Sequence, residues 1–199
     1  MPEDTMTTSV ARQPIVRANG KVFGYELLYR KTPFQNFLLD DPDQATSDVA
    51  FNSFLDVGLD IITDYNSAFI NFTRNSLLQR VPLLLPAEKV IVEILEDIEG
   101  SPEMVDIVKE LKEKGYRIAL DDFVLSRENA ALLPHADIVK VDWRQSTSAD
   151  IQKIIEARRG LNFELLAEKL ETPVEFKQSA SMGCTLFQGY YFGRPVVVT

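Results

Sequence analysis

Short apolar runs alternate along this chain with segments of helical periodicity. From residue 67 onward, six runs have the length of a buried strand: 67–71, 89–93, 117–122, 137–142, 163–168 and 185–188. Helical patterns lie before and between them, as at 46–62 and 101–115, and the second has Ser101 as an N-cap and Gly115 at its end. Strands buried on both faces are typical of parallel sheets, so this order predicts an α/β fold with right-handed crossovers. Periodicity leaves open whether the sheet is open or closed into a barrel.

The first thirty residues follow a different pattern. Ala18, Asn19 and Gly20 separate two extended apolar stretches within residues 12–30, and Asn-Gly is a strong hairpin signal. We therefore expect an N-terminal β-hairpin that adds an antiparallel strand. With 199 residues, 45% of them hydrophobic, and no low-complexity linker, we expect an N-terminal tail over 1–10 and one domain over 11–199.

Polar side chains close the apolar runs one after another. These residues are Glu26, Asn71, Glu93, Asp121, Asp122, Lys140, Glu168 and Gln188. In a parallel barrel the carboxyl ends of all strands open onto one face, where active sites lie, so residues far apart in sequence would converge there. This repeated placement favours a (β/α) barrel over an open doubly wound sheet.

Gathered carboxylates repel one another unless cations lie between them. Mg²⁺ and Mn²⁺ prefer such oxygen ligands, and the adjacent Asp121 and Asp122 are suited to serve two ions. Two ions roughly 3.5–4 Å apart stabilise the attacking and leaving oxygens of phosphodiester hydrolysis. Lys140 would then orient the water or offset developing charge.

Composition limits the classes of partner. A net charge of −9 and a pI near 4.7 argue against bulk nucleic acid, which needs a basic surface. The single cysteine forms no intrachain disulfide, and the opening residues lack the basic and apolar regions of a signal peptide. No apolar run approaches the roughly 18 residues of a membrane span. We expect a cytoplasmic protein without membrane contact.

Several of these segments resemble motifs of the EAL domain family of cyclic di-GMP phosphodiesterases. Glu26-Leu27-Leu28 with Arg30 is similar to the name motif, INFT to the asparagine segment, and VEILE to the E-x-T-E segment. The D-D-F-G, K-x-D and A-E-G-V-E segments correspond to 121–124, 140–142 and 167–171, and the closing Q-G-Y-x-F-x-x-P is complete over 188–195. The resemblance runs from about Arg12 to Pro195.

The resemblance implies a (β/α)8-like TIM barrel with an N-terminal antiparallel hairpin strand, shortened relative to the family, and it implies cyclic di-GMP as ligand. It also assigns roles to residues. Glu26, Asn71, Glu93, Asp121 and Asp122 would bind Mg²⁺ or Mn²⁺ in a two-metal site; Lys140 and Gln188 would position water, with Glu168 as the base; Gln13, Arg30 and Glu171 would bind substrate; and Glu96 would stabilise a loop.

Two departures bear on turnover. The segment after Arg30 is shorter than in active members, and the loop after Asp122 begins with Val124 where the family has glycine. Both changes resemble those of a subgroup in which a degenerate EAL domain precedes an HDOD domain. An HDOD domain, another protein or a second copy of this chain is therefore a candidate partner.

Three functions remain open at this point. The first is a hydrolase that opens cyclic di-GMP to the linear dinucleotide. The second, which the two departures favour, is a binding or interaction module that kept the barrel and lost most turnover. The third is an aldolase-like barrel with Lys140 as Schiff-base nucleophile, which requires a lysine with a lowered pKa. We discount this function, because the surrounding carboxylates would raise that pKa instead.

Overall fold

The computed structural model describes residues 9–30 and 58–198, without the side chains of Ser9, Tyr29 and Arg30. Its strands are β1 (Ser9–Arg17), β2 (Val22–Arg30), β3 (Ser67–Phe72), β4 (Val90–Ile94), β5 (Arg117–Leu120), β6 (Ile138–Asp142), β7 (Glu164–Glu168), β8 (Leu186–Phe187) and β9 (Val196–Val198). Its helices are α1 (Leu59–Ile62), α2 (Arg74–Leu78), α3 (Pro102–Glu113), α4 (Ser148–Ala157) and α5 (Pro173–Ser181), with 3₁₀ turns at Val81–Leu84 and Leu133–His135. Each predicted strand is confirmed. Most of the helix predicted over 46–62 lies outside the described residues.

The sheet closes on itself as a barrel. Strands β2 to β8 pair in parallel in sequence order, and β1 pairs antiparallel with both β2 and β8. Residues 9–16 of β1 pair with β2, and its last two residues, Val16 and Arg17, pair with β8. Strand β9 adds to β1 near Arg12. This confirms the predicted (β/α)8-like barrel with one antiparallel strand and excludes the open sheet.

The N-terminal hairpin forms where the sequence predicts it. Gly20 has φ of 82°, a left-handed conformation that glycine adopts without steric cost, and its amide donates to the carbonyl of Arg17. Strand β1 already begins at Ser9, so residues 9 and 10 of the expected tail belong to the barrel.

The helices begin and end at the expected chemical signals. Ser101 caps α3 by accepting a hydrogen bond from the Met104 amide, and Gly115 follows the helix with φ of 90°. Thr147 and Thr172 form capping boxes at the starts of α4 and α5. Within residues 9–30 and 58–198, no helix is long and apolar enough to cross a membrane.

Two apolar cores stabilise the barrel. Most buried side chains of the described chain lie between the strands and their helices. A smaller set fills the barrel interior and takes one residue from each of seven strands: Ile15, Phe69, Ile91, Ala119, Ile138, Leu166 and Leu186. All seven are at most 1% exposed, so the barrel is a packed core rather than a channel.

Truncation inside the barrel should be costly. We expect Ile138→Ala to lower the free energy of unfolding by about 2–5 kcal/mol, because it removes buried carbon and leaves a cavity. The matched control is Ile61→Ala in α1, where the side chain is 61% exposed and the change should stay within about 0.5 kcal/mol. Urea unfolding of both variants measures the difference, and equal losses would contradict the assigned interior layer.

Candidate active site at the carboxyl ends of the strands

The candidate site lies one layer above the interior core. Successive side chains of a strand point to opposite faces, so the residue two positions after an inward-facing residue also points inward. Phe69 is thus followed by Asn71, and Ile138 by Lys140. The other such residues on the parallel strands are Glu93, Asp121, Glu168 and Gln188.

Glu26 reaches the same layer from β2 because a glycine lies beneath it. A Cβ atom on Gly24 would come within 2.6 Å of the carbonyl oxygen of Ser67 and 2.9 Å of the Phe69 ring. The large Phe69 side chain therefore uses the space that a β2 side chain would take. Gln13 comes from β1, which runs in the opposite direction, so it lies two residues before the interior Ile15.

Lys140 lies at the centre of the layer and is 1% exposed. Its Nζ atom is 2.5 Å from Asp121 Oδ1, 2.8 Å from Glu93 Oε1 and 3.3 Å from Glu168 Oε2. The Oε2 atom of Glu26 is 3.9 Å away. One ammonium thus faces four carboxylates, so the layer carries more negative than positive charge.

This imbalance shifts the acid–base equilibria of the site. Burial raises the pKa of the Glu93 carboxyl well above its ordinary value, against the opposing effect of Lys140 and with the help of Glu26 and Asp121. Burial likewise raises the pKa of Asp121 and, further, that of Glu168. Burial alone would lower the pKa of Lys140, but the four carboxylates raise it well above 10.5. A Schiff-base nucleophile needs the opposite shift, so the aldolase-like hypothesis is not supported.

Amide side chains hold Glu26 in place. Asn71 donates to Glu26 Oε1 at 3.1 Å, and Gln188 donates to Glu26 Oε2 at 2.5 Å and to Gln13 Oε1 at 3.2 Å. Gln13 in turn donates to the carbonyl of Gly193 at 3.0 Å. This chain of hydrogen bonds connects β1, β2, β3 and the segment after β8.

Asp122 lies at the edge of this cluster, where its side chain shares a hydrogen bond with Glu168 and also reaches Lys169. Its two carboxylate oxygens accept from the Lys169 ammonium at 3.0 and 2.8 Å, and the same ammonium lies 2.7 Å from Asp142 Oδ2. Asp122 and Lys169 both have left-handed backbones, with φ of 39° and 60°. Asp121 and Asp122, which the sequence predicted to serve two neighbouring ions, thus have different ammonium partners, and their role as metal ligands stays a prediction.

The remaining predicted residues lie further out. Glu171 forms an ion pair with Arg144 at 2.6 Å. Glu96 is exposed after β4 and has no hydrogen bond or ion pair with the described residues, so its loop-stabilising role stays a prediction. Arg30 is the last residue of β2, and its side chain lies outside the described part of the chain.

A cavity of about 390 Å³ opens above the charged layer. Its floor includes Glu26, Asp121, Lys140 and Glu168, and Arg144, Lys169 and Glu171 line its side. Leu28, Tyr190 and Pro195 supply apolar surface. The cavity therefore combines buried carboxylates, cations and apolar groups.

The chain matches known proteins over most of its length. The family model for the EAL domain matches residues 57–195 of this chain. The chain belongs to the EAL domain family. The cyclic di-GMP phosphodiesterase CdgJ of Vibrio cholerae is 40% identical in an alignment 202 residues long that covers 98% of this chain and 46% of CdgJ. This chain spans about half the length of the curated relatives it matches.

Two solved structures have the same fold as this EAL domain. YkuI of Bacillus subtilis, a protein with an EAL domain in complex with substrate c-di-GMP and calcium, has a TM-score of 0.76 and 22% identity; the match covers 96% of this chain and 55% of YkuI. BlrP1 of Klebsiella pneumoniae, in a manganese and cyclic di-GMP complex, has a TM-score of 0.73 and 23% identity over 99% of this chain and 57% of BlrP1. Both of these structures contain a divalent cation, calcium in YkuI and manganese in BlrP1.

The loop after Asp122 takes a path without a left-handed residue at Val124. The left-handed residue falls two positions earlier, at Asp122 itself, and Val124 is 49% exposed. The Val124 carbonyl accepts from Asn129 Nδ2 at 2.9 Å, and the Glu128 carbonyl accepts from the Gly100 amide at 2.7 Å. These contacts anchor the loop to itself and to the segment before α3.

Lys169 and Arg144 are cavity residues that the strand-end pattern missed. Lys169 follows the last residue of β7, and Arg144 lies two residues beyond β6. A signal for Lys169 was present in the sequence, because it replaces the glycine of the A-E-G-V-E motif. No comparable sequence signal marks Arg144.

The charged layer is suited to a divalent cation, because four carboxylates there share one ammonium. Glu93 Oε2 is buried and has no hydrogen-bond partner, Glu26 and Asp121 surround the same Lys140 ammonium as Glu93, and Asn71 is hydrogen-bonded to Glu26. Among residues 9–30 and 58–198, no three His, Cys, Asp or Glu side chains are already arranged as metal ligands. The reason is geometric, since the carboxylates converge on the Lys140 ammonium.

Removal of the central ammonium should destabilise the EAL domain. In metal-free buffer we expect Lys140→Met to cost about 3–5 kcal/mol, because it leaves buried carboxylates without their counter-charge. The control is Lys109→Met, where an exposed ammonium 3.4 Å from Asp106 is removed and little should change. Urea unfolding measures both, and a loss below about 1 kcal/mol in Lys140→Met would show that Lys140 does not balance the layer.

Proposed function

We propose that this EAL domain binds cyclic di-GMP in the cavity at the carboxyl ends of its strands and turns it over weakly or not at all. The observation that carries the proposal is the cavity itself, in which the strand-end residues of the family motifs meet. Cationic Arg144 and Lys169 on its side suit phosphate groups, and Tyr190 and Leu28 suit the flat faces of guanine bases. CdgJ, YkuI and BlrP1, whose names state activity on or binding of cyclic di-GMP, support the choice of ligand.

The deeper carboxylates have a separate role in this proposal. Glu26, Asn71, Glu93 and Asp121 would hold a divalent cation, and Mg²⁺ or Mn²⁺ is the preferred ion because the ligands are oxygens. When bound, such a cation neutralises phosphate charge and lowers the pKa of coordinated water. Gln188 fixes Glu26, so it positions this ligand for the cation.

Weak turnover is supported by the loop after Asp122. A family loop that begins with glycine can enter a left-handed conformation that a β-branched residue holds only at a cost. Here Val124 avoids that conformation, and the loop is anchored by its contacts with Asn129 and Gly100. A displacement of about 1 Å in a positioning element costs roughly a hundredfold in rate.

An active hydrolase is the second candidate function. Every polar residue that the family motifs assign to catalysis is present, and Lys140, Glu168 and Gln188 lie in one layer. Burial raises the pKa of the Glu168 carboxyl, against the opposing effect of Lys140, and a general base has to lie in such a pocket beside the reacting groups. Lys140 and Gln188 would position the water, and Glu171, Gln13 and Arg30 would contact substrate.

A combined binding and product assay separates the two functions. With Mn²⁺ present, we expect calorimetry to detect cyclic di-GMP binding, and we expect chromatography to show linear product at least about a hundredfold more slowly than an active EAL enzyme run alongside. GMP is the control nucleotide and should bind more weakly, since it fills half of the site. Turnover at the rate of the active enzyme would select the hydrolase, and absent binding would refute both functions.

Metal binding should stabilise the domain without nucleotide. We expect Mn²⁺ at a hundred times its Kd to add about 2.7 kcal/mol of stability and to raise the Tm. Asp121→Asn should abolish this rise, because it removes a carboxylate of the deep layer. The matched control, Asp106→Asn, changes an exposed carboxylate on α3 and should retain the full response. An unchanged response in Asp121→Asn would refute the ligand assignment.

A further inference from the structure

Lys169 makes contacts in the cavity that phosphate binding in the proposed function does not explain. Its side chain is 43% exposed and lines the cavity, yet its ammonium contacts three carboxylate oxygens. Two belong to Asp122, and the third belongs to Asp142. Each of these distances is between 2.7 and 3.0 Å, which is the range of a charge-assisted hydrogen bond.

The position of Lys169 in the barrel brings it to Asp122. Strand β6 lies between β5 and β7, so the side chain crosses the end of one intervening strand. Asp142, the last residue of that strand, accepts a hydrogen bond from the same ammonium. The residue pairing of β6 with β7 sets Asp142 opposite Glu168, directly before Lys169.

The backbone shows that this contact is specific. Lys169 has φ of 60° and Asp122 has φ of 39°. Both values lie in the left-handed region, which residues other than glycine rarely adopt. A lysine here meets a steric penalty that a glycine would avoid. The ion pairs with Asp122 and Asp142 offset this penalty and fix both loops.

The contact also gives Asp122 a counter-ion of its own, although its side chain borders the deep carboxylate layer through a hydrogen bond with Glu168. Both of its oxygens are directed at the Lys169 ammonium, whereas Asp121 is directed at Lys140. A divalent cation at Asp122 would have to displace an ammonium held by two carboxylates. A cation in the deep layer gains more, because four carboxylates there share one ammonium.

We propose that Lys169 is a built-in cation that takes the place of a second metal ion at Asp122, so that this domain binds one divalent cation where a two-metal site would bind two. The inference rests on the proposal that the deep carboxylates bind a divalent cation. Its consequence is that positive charge at the Asp122 side of the cavity comes from a lysine. An ammonium has no exchangeable coordinated water to activate, so this side can hold phosphate and cannot generate a nucleophile.

The number of bound Mn²⁺ ions tests this inference without any activity measurement. Equilibrium dialysis of the nucleotide-free domain, followed by metal analysis, gives Mn²⁺ per chain. We expect one ion in the unmodified domain and two in Lys169→Gln, which removes the charge. In Lys169→Gly, which also removes the backbone penalty, we again expect two. Two ions within about 4 Å should also give a spin-coupled Mn²⁺ resonance spectrum that one ion does not.

Two controls test whether a second ion binds only when the positive charge is removed, and only when it is removed at residue 169. Lys169→Arg retains a cation beside Asp122 and should bind one ion, as should Lys109→Gln, which removes an exposed ammonium from α3. Two ions in the unmodified domain, or no additional ion in both Lys169→Gln and Lys169→Gly, would overturn the inference. Cyclic di-GMP binding is measured in a separate experiment, so its failure would refute the proposed function and leave the ion count interpretable.

Discussion

The alternation of side chains along closed strands determines where every group of the site lies. In the interior of this barrel, one layer of apolar residues is followed two residues later by a layer of polar ones on the same inward face. The apolar layer has to pack without voids, so it fixes the register of the strands. The strand register in turn fixes the positions of the polar residues above this layer. Leu166 and Glu168 show the coupling, because a one-residue shift of β7 would direct both away from the barrel axis. The stability of the core and the geometry of the site are therefore the same constraint.

That constraint brings too much negative charge into one place. Glu93 is fully buried, Glu168 is nearly so, and the Asp121 side chain is 14% exposed, while Lys140 is the one ammonium in contact with them within the described chain. Desolvation of a charge is expensive, and a buried carboxylate without a partner either protonates or attracts a cation. The raised pKa values of these carboxyls express this tension. A layer with these properties is poised for divalent cations, and its polar composition would be unexplained in a purely structural barrel.

Much of the fold and of the deep layer was predictable from the sequence because both depend on local patterns. Apolar runs gave the strands, and the polar residue that closed each run gave Asn71, Glu93, Lys140 and their neighbours. Gln13 was not predictable in this way, since β1 runs against the other strands and its site residue precedes the apolar one. Family resemblance alone pointed to it. The partners of Asp122 were also hidden, because adjacency to Asp121 in sequence says nothing about the left-handed turn that separates their side chains.

The two left-handed residues show how this site differs from the rest of the barrel. Strained backbone of about 1–3 kcal/mol per residue persists only where surrounding contacts compensate for it. At Asp122 and Lys169 the compensation is mutual, because each residue supplies the charged partner that holds the other. A glycine in place of the lysine would relieve its own strain and leave Asp122 without its counter-ion. The carboxylates of Asp122 and Asp142 would then lack an ammonium between them, and a divalent cation is the natural replacement. The substitution of glycine by lysine in the A-E-G-V-E segment thus changes backbone strain and the electrostatics of the cavity together, which explains why a position without catalytic chemistry of its own governs the charge of the site.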